Sequence, residues 1–85
     1  MSRIEKLIRS FLSYPPEVSF ADVERLLKHF GYEQVRSSGS HHIFRNKDGD
    51  MLTVPKKHGQ KVKQIYIKTI VRQLKLEEWY EREKD

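Results

Sequence analysis

The chain lacks cysteine altogether. That excludes disulfides and thiolate zinc sites, and it suits a reducing compartment. No apolar run approaches the roughly 20 residues a helix needs to cross a bilayer. The opening stretch MSRIEKLIRSFLSY breaks its apolar pattern with charges, so it has no uninterrupted signal-peptide core. The expectation is a cytoplasmic protein without membrane contact. At 85 residues the chain has room for one small domain. Acid is also missing from one long segment. Between Met51 and Lys75 there is no Asp or Glu, while Lys56, Lys57, Lys61, Lys63, Lys68, Arg72 and Lys75 all fall there. The net charge is +5, and the tail LEEWYEREKD is acidic. A block of one sign on a folded domain favours a polyanionic partner over a merely solvated helix face.

What is present begins with helical spacing. Ile4, Leu7, Ile8, Phe11 and Leu12 recur with a helical period, which predicts an amphipathic helix over Arg3–Ser13. The YPPE stretch ends it, because proline removes donors and restricts the preceding residue. Ser19 followed by Asp22 has the form of a capping box and starts a second helix. Phe20, Val23, Leu26, Leu27 and Phe30 form its apolar face, and Gly31 stands where a C-terminal glycine belongs. The period then changes to that of strands. YEQVRSS and HHIFRN read as a hairpin with Ser38-Gly39 as its turn. NKDGD makes a second turn, and MLTVP a third strand closed by Pro55. KKHGQKVK reads as a basic loop. Ile67, Ile70, Val71 and Leu74 mark a third helix over about Val62–Lys75, and Leu76, Trp79 and Tyr80 a short last turn that packs back.

These elements imply an α+β fold. A three-stranded antiparallel sheet would have helices on one face and an open second face. The α-β-β-β-α order is that of double-stranded-RNA-binding domains, with an extra helix at the N-terminus. The expected division is an extension over residues 1–18 and a core domain over residues 19–85.

The candidate chemistry lies in GSHH. Side chains alternate along a strand, so His41, Ile43 and Arg45 share one face, and His42 and Phe44 the other. The two rings therefore do not act on one substrate. His41, His42 and the distant His58 also make a poor zinc set, with no carboxylate at a suitable spacing. His42 reads as a strand residue beside Phe44, and His29 as a surface residue at a helix end, where a cation suits the dipole. His41 differs by position, at the start of a strand beside Gly39 and Ser40, held firmly yet open to solvent. If the partner is RNA, its 2′-hydroxyl is an internal nucleophile. Cleavage then needs a base, an acid for the leaving 5′-oxygen, and cations for the developing charge. Imidazole, with an ordinary pKa of about 6.5, suits proton transfer near neutrality. His41 is the candidate acid/base, with Ser40, Lys56, Lys57, His58, Lys61 and Lys63 as RNA-binding residues and no metal. Adjacent strand residues point apart, which argues against a Ser40–His41 hydrolytic pair.

LLKHFGYEQVRSSGSHHIFRN, DGDMLTVPKKHG and IKTIVRQLKL, in this order, resemble the HicA family of toxin–antitoxin systems over about Ser19–Tyr80. The most specific elements are Gly39-Ser40-His41 and Val54-Pro55 followed by His58-Gly59. The resemblance implies a metal-independent ribonuclease that cleaves mRNA, masked by a HicB-like antitoxin. It places the family's catalytic histidine on His41 and gives His42 no role. The helix Arg3–Ser13 departs from the short family pattern. Two further readings use the same residues: a non-catalytic RNA-binding module, and a regulator whose basic face takes an acidic protein.

Overall fold

The computed structural model describes residues 2–83. Helix α1 (Arg3–Leu12) opens with the Ser2 hydroxyl accepting the amide of Glu5 at 3.2 Å. It buries Leu7, Ile8 and Phe11. Strand β1 (Glu17–Ser19) leads directly into α2 (Phe20–His29). There the Ser19 hydroxyl accepts the amide of Asp22 at 3.1 Å, as the capping pattern predicts. At the other end Gly31, with φ +86°, turns the chain so that its amide reaches Lys28 and the Tyr32 amide reaches Leu27. This is the Schellman arrangement, which favours glycine at that position.

Strands β2 (Glu33–Ser38), β3 (His41–Arg45) and β4 (Met51–Pro55) form the expected antiparallel sheet in the order β2-β3-β4. The sheet is one-sided. His42, Phe44, Leu52 and Val54 are buried on the inner face, while His41, Arg45, Met51 and Thr53 are exposed on the outer one. Strand β2 differs, because every residue in it is exposed. A bulge at Val35, between the pairs Gln34–Phe44 and Arg36–Ile43, interrupts its ladder. A bulge and exposed charges on an edge strand discourage edge-to-edge pairing.

Two local expectations are corrected. Ser38 pairs with His41, so the hairpin turn is Gly39-Ser40 and not Ser38-Gly39. Gly39 has φ +59° and Ser40 keeps a negative φ, the pattern of a turn with glycine at its first central position. The segment read as a wholly irregular basic loop also contains β5 (Lys61–Lys63), which pairs antiparallel with β1. Val62 accordingly lies opposite Val18 in a strand, and α3 (Gln64–Leu74) begins two residues later than its spacing suggests. A three-residue ladder between distant segments leaves no period to read, and a fully buried valine fits helix or strand equally well.

Helix α4 (Leu76–Glu83) follows a single left-handed residue, Lys75, and packs back through Leu76, Trp79 and Tyr80. The core is one cluster to which every element except β2 contributes a buried residue. Phe11, Ile8, Leu26, Leu27, Phe44, Ile67, Ile70 and Leu76 are almost completely enclosed. Burying each such side chain contributes about 1.5–3 kcal/mol. α1 is thus part of the same core as α2 and α3. The Gln73 amide fixes α3 to the sheet, donating to the Tyr32 hydroxyl at 3.3 Å and the Met51 carbonyl at 3.1 Å.

Candidate nucleic-acid interface

The predicted site residues collect at one end of the sheet, where β3 begins and β4 ends. The Lys56 amide donates to the Ser40 carbonyl at 2.8 Å, extending the β3–β4 ladder past Pro55, which has no N–H. Ser40 and Lys56 are thereby held side by side. The Lys56 ammonium lies 4.6 Å from the centre of the Phe20 ring, the first residue of α2. A cation over an aromatic face is held without losing its charge. Lys57 and Lys61 pair backbone to backbone at 2.8 Å, closing the turn that carries His58, Gly59 and Gln60. Lys61 and Lys63 flank the buried Val62 and point outward.

A cleft of about 140 Å³ lies here, lined by Ser40, Pro55, Lys56, Lys57, Lys63 and Tyr66. Four of the predicted binding residues thus line one small hollow. Lys63 is also the N-cap of α3, where no side chain caps the helix and the first turn holds no acid. A helix start of this kind attracts anions through its dipole. The combination suits a phosphate, with Tyr66 offering an aromatic surface to a base. Tyr66 was not among the residues singled out in the sequence. Its signal is an aromatic in the first helical turn after a basic block.

The remaining predicted residues sit around this cleft. His41 is exposed on the outer face of the sheet, immediately after Ser40 and opposite Pro55, both of which line the cleft. His41 itself is not in the lining, and neither are Lys61 and His58. His58 is exposed at the tip of the turn. Among the described residues no three His, Asp or Glu side chains gather at one place.

His42 points the other way. Only 9% of it is exposed, its ring lies 4.6 Å from that of Phe20, and neither ring nitrogen has a hydrogen-bond partner among the described residues. Burial pushes its pKa below the ordinary imidazole value, and the charges of Lys56 and, less strongly, His41 act in the same direction against Glu24. Another feature outside the sequence reading is Glu17, whose carboxylate lies 2.7 Å from the Lys57 ammonium. The hydrogen bond from Lys57 holds that carboxyl below its ordinary pKa, helped by the charges of Lys57 and Lys61.

The fold and this cleft define a small α+β protein with an α-β-β-β-α core, an added N-terminal helix and a cationic hollow at one end of its sheet. Comparison with protein families gives a match to the family described as HicA toxin of bacterial toxin-antitoxin, over residues 20–76. The chain belongs to the HicA toxin family, and membership implies an antitoxin partner. No curated protein and no solved structure gives a match. Among the described residues no helix is long and apolar enough to cross a membrane.

Proposed function

We propose that this HicA-family protein is a cytoplasmic endoribonuclease toxin that cuts mRNA by proton transfer at His41 and is masked by a HicB-like antitoxin. The observation that carries the reading is the cleft itself, which gathers Ser40, Lys56, Lys57 and Lys63 beside an exposed His41. A phosphate seated against Lys56, Lys63 and the start of α3 puts the sugar next to it at the end of the hairpin, within the neighbourhood of His41. There the imidazole removes the proton of the 2′-hydroxyl. The 2′-oxygen attacks phosphorus, the bond from phosphorus to the 5′-oxygen breaks, and a 2′,3′-cyclic phosphate remains. The leaving 5′-oxygen takes a proton from solvent water, His41 returns its own to solvent, and the lysines offset the charge that grows on the non-bridging oxygens. Lys61 and His58, at the rim, contact the flanking backbone.

One observation favours a second reading, a non-catalytic RNA-binding module: His41 stands beside the cleft and does not line it. The two readings separate in one experiment. The wild type and His41→Ala are expressed without antitoxin, and total RNA is followed by primer extension. Growth arrest with new 5′ ends in the wild type alone supports cleavage. Salt-sensitive RNA binding by both proteins, with intact RNA, identifies the binding module.

A further inference from the structure

The segment that precedes the family match reaches into the basic cluster. Strand β1 pairs with β5, placing Glu17 opposite Lys63 and Ser19 opposite Lys61. Flanking bonds hold the two segments together. The Gln64 amide donates to the Pro16 carbonyl at 2.9 Å, its side chain to the Tyr14 carbonyl at 2.6 Å, and the Phe20 amide to the Gln60 carbonyl at 2.9 Å. The ladder sets the Glu17 carboxylate among Lys57, Lys61 and Lys63, with an oxygen 2.7 Å from the Lys57 ammonium.

A carboxylate oxygen at that distance makes the charge-assisted bond that a phosphate oxygen would make. Among the described residues, no carboxylate forms an ion pair with Lys56, Lys61 or Lys63. We propose that Glu17 is an internal competitor for the substrate phosphate at Lys57. The inference rests on the RNA-binding reading of the cleft given above. Lys57 lines the cleft with its charge offset by a carboxylate of its own chain, so a phosphate there competes with Glu17. The two side chains remain 44% and 39% exposed, so salt screens the pair and exchange is easy. Glu17 therefore weakens RNA binding without blocking it. The opposite role, in which Glu17 orients Lys57 for RNA, predicts the opposite sign.

The test uses the full chain and two anionic probes. One is a 2′-O-methylated oligoribonucleotide, which cannot be cut through its own 2′-oxygen, and the other is a heparin column. Glu17→Gln is compared with the wild type and with Glu33→Gln, which removes one negative charge on exposed β2. Lys57→Ala and the double variant complete the set, and circular dichroism checks the fold. Glu17→Gln is expected to bind the oligonucleotide about two- to five-fold more tightly, the range of an exposed ion pair. Its salt slope should steepen by about 0.7, the value of one added phosphate contact on a single strand. It should leave heparin at higher salt than Glu33→Gln, and the gain should vanish with Lys57→Ala. Binding by Glu17→Gln that is unchanged or weaker on both probes overturns the proposal, as does a gain equal to that of Glu33→Gln or one that survives Lys57→Ala. If the oligonucleotide is not bound but the heparin order is as expected, competition at Lys57 stands and the RNA reading fails.

Discussion

The imidazole of His42 lies 4.6 Å from the ring of Phe20, on the inner face of the sheet, while the neighbouring His41 is exposed on the outer face. One residue of strand alternation separates a ring built into the core from a ring available to a substrate. The adjacent histidines therefore respond to different tests.

Replacing His41 by alanine should leave stability within about 0.5 kcal/mol of the wild type, because its ring is exposed. The rate of RNA cleavage should fall by about 10²–10⁴-fold, the usual contribution of a general acid or base. A urea melt and a cleavage assay on the same preparation measure both. Loss of stability together with activity would assign His41 to the fold.

His42 makes stability depend on pH. Its folded-state pKa lies below that of the unfolded chain, so the folded protein keeps the ring neutral. Above the unfolded value, about 6.5, both states carry a neutral ring and the residue adds no pH dependence. As pH falls through that value the unfolded chain takes up a proton that the folded one resists, and stability declines toward the folded pKa. Urea midpoints between pH 7.5 and 5 should fall for the wild type and fall less for His42→Phe. At pH 7 the Phe variant should be more stable by about 1 kcal/mol, since it removes buried ring nitrogens without partners. A loss instead would show that those nitrogens are satisfied by bound water.

Gly39→Ala probes the turn that presents Ser40 and His41. A Cβ there would meet no atom within 4 Å, so the cost is confined to the backbone, whose φ is +59°. That conformation should cost an alanine about 1–2 kcal/mol. If the turn also sets the position of Ser40 and His41, cleavage should fall further than the stability loss explains. This is read from initial rates at a temperature where the variant is fully folded.

Phe11→Ala tests whether the N-terminal helix is an appendage or a part of the core. Phe11 has no exposed surface. Truncating it should cost about 3–5 kcal/mol, a large share of what a small domain possesses. A fragment covering residues 19–85 should fail to give a cooperative melt. A cooperative melt close to that of the intact chain would show that α1 is dispensable for folding.

Most of the architecture was legible along the chain. The helical spacing of Ile4 through Leu12, the Ser19 cap and the Gly31 stop are local signals, and local structure obeys them. The alternation in HHIFR by itself places His41 and His42 on opposite faces. Local signals fail where pairing is distant and short. Nothing around Val18 or Val62 announces a three-residue ladder between them, so β1, β5 and the Glu17–Lys57 pair emerge only when the core brings the segments together. The position of the β2–β3 turn is ambiguous along the chain for a related reason. Ser38-Gly39 and Gly39-Ser40 are both acceptable turns, and the β2–β3 register, with Ser37 opposite His42 and Ser38 opposite His41, decides between them. The amino-acid order thus determined which residues carry the charge and the candidate chemistry. Tertiary structure decided which of those lysines face an open cleft, which one is held by a carboxylate of its own chain, and where the aromatic ring of Tyr66 stands beside them. Those outcomes depend on burial and on contacts between remote segments, and these exist only once the core has closed.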